Sequence, residues 1–134
     1  MLEYLENHKN KVVYLPLLIY WIILFVATSL PGSDVPNLRI SDKIEHFIAY
    51  FILALFLNLA LLLQTRFQWF KQKANYAVIL IISVYAGFDE LHQIFIPGRS
   101  CDLRDWITDF MATCFAVLVF NIFIRQIKNK TAKR

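Results

Sequence analysis

Long apolar runs separated by short polar segments dominate this chain. The first, Val12 to Leu30 (VVYLPLLIYWIILFVATSL), has no charged residue. As a helix it is about 28 Å long, close to the ~30 Å hydrocarbon core of a bilayer. Pro16 falls near its start, where a membrane helix tolerates it. The second run is Ile44 to Leu63, with Asn58 inside it. The third is Tyr76 to Ile96, and the fourth begins near Asp105 and ends near Ile124. The pattern predicts an all-α fold, a polytopic membrane protein whose four transmembrane helices (about 12–30, 44–63, 76–96 and 105–124) form one bundle in a single domain. A basic tail follows over 125–134. A competing reading of the first run is a cleaved secretory signal, with Lys9 and Lys11 ahead of it and Ala27-Thr28-Ser29 as the small-residue site. The run exceeds the usual apolar core of such signals, about 7–15 residues, which favours a retained helix.

The separators carry their own signals. Met1 to Lys11 is a polar head suited to a short interfacial helix. Pro31-Gly32-Ser33-Asp34-Val35-Pro36-Asn37 is rich in turn formers. Ser41 or Asp42 is placed to cap the second helix, with Asp42 and Glu45 in its first turn, where the helix dipole favours acids. Gln64 to Lys73 holds Arg66, Lys71 and Lys73 without an acid, and its Trp69 suits the aromatic belt at a membrane surface. Pro97-Gly98 is the preferred central pair of a type II turn, and Asp105 or a neighbour is expected to cap the fourth helix.

Composition agrees with a membrane protein. In a chain of 134 residues, 58% are apolar, and the mean hydropathy is +0.51, above the range of soluble domains. The formal net charge of +4 does not indicate a nucleic-acid partner, because the bases flank the apolar runs. The expected partner is the lipid bilayer. Ten of the 14 Lys and Arg residues fall in the head, the second loop and the tail. The excess predicts that these segments are cytoplasmic, with both termini inside and the first and third loops outside. Cys101 and Cys114 do not make a disulfide framework, and no zinc-finger spacing occurs.

Chemistry gathers at the ends of three runs. Asp89, His92, Gln93 and Ile96 share a helix face, while Glu90 lies about 100° round and pairs better with Gln93. Asp42, His46, Ala49 and Tyr50 share another face. Asp105, Asp109, Ala112 and Ala116 form a stripe of acids above small residues, which permit close helix approach. An ionised side chain facing lipid costs about 2.5–3.5 kcal/mol at the bilayer centre, so Asp89 and Glu90 are expected to face protein or water. One reading is a structural network of ion pairs drawing on Lys43, Arg99 and Arg104. Another is an outward-opening pocket, with Arg99 as an anion contact. Asp89 with His92, and Asp42 with His46, have the spacing of metal ligands. Only two such histidines are present and no HExxH occurs, so the residues by themselves call for no metal and no cofactor.

Together Asp42-Lys43-Ile44-Glu45-His46-Phe47 with Tyr50, Asp89-Glu90-Leu91-His92-Gln93, Ile96-Pro97-Gly98-Arg99, Asp105 and Asp109 resemble the VanZ-like integral membrane family. Asp109 stands where such proteins often have Asn, and Ala112 and Ala116 where glycines are usual. The family takes its name from a determinant of glycopeptide resistance, so the resemblance implies a bacterial inner-membrane protein acting near the cell envelope, without implying a reaction. The reading is a pocket formed by Asp42, Lys43, His46, Asp89, Glu90, His92, Gln93, Arg99, Asp105 and Asp109 that binds an anionic, lipid-linked or peptidoglycan-related component. Its rivals are a metal-assisted hydrolase or transferase at the outer leaflet, with Asp89, Glu90 or His92 catalytic, and a purely structural assembly protein.

Overall fold

The computed structural model describes residues 2–33 and 41–132. Pro36 and Asn37 of the first loop, Arg39 among the counted bases, and Lys133 and Arg134 of the tail lie outside them. Helix α1 (Leu2–Asn7) forms the head, and a π-helical turn over Asn10–Tyr14 leads into α2 (Leu15–Thr28). Pro16 has no N–H to give the Val12 carbonyl, and the hydrogen-bond ladder widens just ahead of it, where Leu15 N–H bonds to Asn10. Then come α3 (Asp42–Leu63), the short α4 (Gln68–Gln72), α5 (Ala74–Gln93) and α6 (Leu103–Ala132). Among the described residues, four helices are long and apolar enough to cross a membrane: Asn10–Thr28, Asp42–Leu63, Ala74–Gln93 and Leu103–Lys130.

The bundle is apolar outside and partly polar inside, the reverse of a soluble protein. Ile22, Ile23, Leu80, Val84, Leu118 and Ile122 are exposed along the spans, whereas His46, Asn58, Asp89, Glu90, Asp105, Asp109 and Thr113 are buried. An exposed aliphatic surface of this extent is stable only against lipid. The core joins Leu24 of α2, Tyr50, Leu53, Ala54 and Leu57 of α3, Val78, Ile82 and Ala86 of α5, and Ala112, Ala116 and Val117 of α6. The most extensive helix contact is between α3 and α6. The alanine stripe faces inward as its spacing predicts, both residues being 0% exposed.

Two helix ends differ from the sequence reading. The third span stops at Gln93 instead of Ile96, and tighter turns carry Phe95 N–H to His92 and Ile96 N–H to Gln93. Pro97 is the cause: its ring crowds the carbonyl four residues back and it offers no N–H. The fourth span begins at Leu103 and continues through the basic tail, where Arg125, Lys128 and Lys130 are good helix formers and suit the negative end of the dipole. Asn58 is buried, and its Nδ2 has no hydrogen-bond partner among the described residues.

The loop after α5 forms the expected type II turn: Arg99 N–H donates to the Ile96 carbonyl at 3.1 Å, and Gly98 has φ +75°, which glycine adopts readily. The turn also meets the loop after α2, where Gly32 N–H donates to the Pro97 carbonyl at 3.0 Å. A Cβ on Gly32 would collide with the Gly98 carbonyl. Gly32→Ala is therefore expected to lower stability by about 1–3 kcal/mol. An unchanged unfolding midpoint in detergent would show that these loops do not touch.

Candidate functional site

The loop contact joins the ends of α2 and α5, and polar side chains of α2, α3, α5 and α6 meet at that end of the bundle. Asp89 of α5 is buried, 1% exposed. Thr28 at the end of α2 donates its hydroxyl to Oδ1 at 2.7 Å, and Tyr50 of α3 donates to Oδ2 at 3.0 Å. Both carboxylate oxygens are thus satisfied by neutral hydroxyls from two other helices, with no cation paired to them among the described residues.

Beside this triad, His46 Nδ1 of α3 lies 3.2 and 3.4 Å from the carboxylate oxygens of Asp109 on α6. The imidazole stacks on the Tyr50 ring, with centroids 6.3 Å apart and planes 2° from parallel. Thr113 donates to the Asp109 carbonyl one turn below. Glu90, 3% exposed, accepts the Asp102 N–H on Oε2 at 2.8 Å, while its buried Oε1 has no hydrogen-bond partner among the described residues. Two sets of side chains offer ligand atoms all within 4.8 Å of one another: His46, Glu90 and Asp109, which are all buried, and Asp42, His46 and Asp105 nearer the surface.

At the rim, Lys43 Nζ donates to Asp105 Oδ1 at 2.6 Å and lies 3.6 Å from Asp102. Asp102, not Asp105, caps α6, accepting the Arg104 N–H at 2.8 Å. That bond, with the nearby charges of Lys43 and Arg104, holds the Asp102 carboxyl below its ordinary pKa. Ser41 stands at the start of α3 without a side-chain cap; its carbonyl accepts the Ile44 and Glu45 N–H groups instead. A cavity of about 160 Å³ opens between α2 and α3, lined by Thr28, Asp42, Glu45, His46, Tyr50 and Arg99 among others. The Nε of Arg99 is buried with no hydrogen-bond partner among the described residues.

Of the residues selected from sequence, Asp42, Lys43, His46, Asp89, Glu90, Arg99, Asp105 and Asp109 come together at this end. His92 does not join the acids. Its ring packs on Phe25 and Phe88, with centroids 5.2 and 6.3 Å away, so the expected Asp89–His92 ligand pair does not form. Gln93 is buried, but its Nε2 finds no partner among the described residues, and Glu90 turns to the α6 N-terminus instead of to Gln93. Lys43 is occupied by acids, and Arg104 is exposed, giving only its backbone N–H. Sequence reasoning missed the roles of Thr28 and Glu45. The available signal was a hydroxyl pair ending a charge-free helix; Thr28 and Ser29 both reach back to the Phe25 carbonyl, and Thr28 also meets Asp89. Cys101 and Cys114 are both free thiols.

The VanZ/LLP1 family model matches residues 11–124. An uncharacterized protein of Schizosaccharomyces pombe is 30% identical over 111 residues, 82% of this chain and 64% of that one. The chain therefore spans just under two thirds of the length of that relative. No solved structure matches the chain. The chain belongs to the VanZ/LLP1 family and is a multi-pass membrane protein.

Proposed function

We propose that this VanZ/LLP1 family protein binds the polar end of a membrane-borne ligand in the cavity between α2 and α3, with an anionic group of that ligand on Arg99. The observation that carries the reading is a guanidinium lining a cavity of about 160 Å³, its Nε buried and without a partner among the described residues. That is room for about five waters at ~30 Å³ each, or for a phosphate or carboxylate. Lys43 is already neutralised by Asp105 and Asp102, which leaves Arg99 as the anion contact. Guanidinium suits the task because it pairs bidentately with phosphate and carboxylate.

Asp42 and Glu45 line the same cavity, so the ligand that fits best also carries an ammonium or hydroxyl donor. Lipid-linked phosphates and peptidoglycan-related amino-acid units have that chemistry. In this reading the membrane is a bacterial inner membrane, both termini are cytoplasmic, and the cavity opens at the outer face. The excess of Lys and Arg in the head, second loop and tail supports that orientation.

Native mass spectrometry of the protein released from lipid membranes tests the binding. Arg99→Ala is expected to reduce retained anionic lipid by about ten- to a hundredfold, from the ~1.5–3 kcal/mol of a charge-assisted hydrogen bond. Arg99→Lys should restore part of it. A lipid profile unchanged by Arg99→Ala would refute the reading. For orientation, the exposed Cys101 should react with an impermeant maleimide added outside intact cells, and protection there would reverse the assigned topology.

A further inference from the structure

We propose that His46, Glu90 and Asp109 form a binding site for one divalent transition-metal ion, held between α3, α5 and α6. Each residue comes from a different helix, all three are buried, and their ligand atoms lie within 4.8 Å of one another. The 3.2 Å from His46 Nδ1 to Asp109 Oδ1 matches the edge of a tetrahedral site, about 3.3 Å for bonds of ~2.0 Å.

An independent observation points to an occupant. Glu90 Oε1 is buried and makes no hydrogen bond among the described residues, and a bare carboxylate oxygen away from water is strongly unfavourable. The charge balance points the same way. Asp89 is served by two hydroxyls and Asp105 by Lys43. Glu90 and Asp109 are left with a single imidazole as the buried basic group among the described residues. Two carboxylates, a neutral imidazole and a divalent cation sum to zero charge, which a site at membrane depth favours. The mixed nitrogen and oxygen donors suit Zn²⁺, Mn²⁺ or Fe²⁺. Three protein ligands leave a coordination position open, and His46 also lines the cavity described above. The metal site does not depend on Arg99 or on the ligand proposed for it.

The test uses the full chain in detergent, stripped with a chelator and titrated with Zn²⁺, with Co²⁺ as the spectroscopic probe. The expected results are one ion per chain, a higher unfolding temperature with Zn²⁺, and visible Co²⁺ absorption that Zn²⁺ abolishes. Glu90→Gln and Asp109→Asn should each weaken Zn²⁺ binding at least tenfold while gel filtration and circular dichroism remain those of the parent. Less than one ion per five chains in the parent would overturn the proposal. So would Glu90→Gln binding Zn²⁺ as tightly as the parent, or Asp42→Asn removing an ion that Glu90→Gln leaves in place, which would put it in the outer group of Asp42, His46 and Asp105.

Discussion

Tyr50→Phe is expected to lower the stability of this protein by about 1.5–3 kcal/mol, and Thr28→Val by a similar amount, because each takes one hydroxyl from a buried carboxylate. Asp89 has no cation paired to it among the described residues; the two hydroxyls, at 2.7 and 3.0 Å, are its solvation. Removing both should cost more than the sum of the single changes, since the last donor lost leaves a bare charge in the bundle core. The Asp89→Leu background provides the decisive comparison. With the carboxylate gone, Tyr50→Phe should be nearly neutral, and the cycle should return a coupling of about 1–3 kcal/mol. Equal losses in both backgrounds would mean that Tyr50 stabilises by packing alone.

A second large effect is expected where α6 meets the rest of the core. Ala112 and Ala116 have no exposed surface and lie in the cluster with Tyr50, Leu53, Ala54 and Ile82. Leu at either position must push α6 outward, at about 1–3 kcal/mol or more for the added volume. Displacing α6 also carries Asp109 away from His46, across a contact of only 3.2 Å. Ala112→Leu should therefore lower the unfolding midpoint and, where Zn²⁺ binding is measured, weaken it as well. Met111→Leu, one residue along on the exposed side, should leave both unchanged. If Met111→Leu and Ala112→Leu behaved alike, the alanine stripe would not be the packing surface.

The polar residues of α5 mark where sequence reasoning stopped. At 100° per residue, Asp89, Glu90, His92 and Gln93 spread over about 160° of the helix surface, too wide for one face. Spacing alone groups Asp89 with His92. Packing instead turns Asp89 to Thr28 and Tyr50, Glu90 to the start of α6, and His92 to Phe25 and Phe88. Nothing within α5 specifies that rotation; it follows from the partners offered by α2, α3 and α6. The same holds for Lys43, which the sequence offers to an ion-pair network without saying which acids it meets, and which the fold places beside Asp102 and Asp105.

By itself the sequence determined the membrane-spanning helices, the type II turn at Pro97-Gly98 and the inward alanine stripe. These depend on run length, local backbone chemistry and small-residue spacing, all of which are properties of neighbouring residues. It also indicated that the two acid-bearing clusters share one end of the bundle, because the spans alternate in direction. Only the tertiary structure decided which carboxylates are satisfied, which remain open, and that Arg99 lines a cavity. Most of those outcomes rest on contacts between residues 39 to 63 positions apart, and the Glu90–Asp102 contact spans 12; helix rotation and depth set them, and a linear pattern does not encode either.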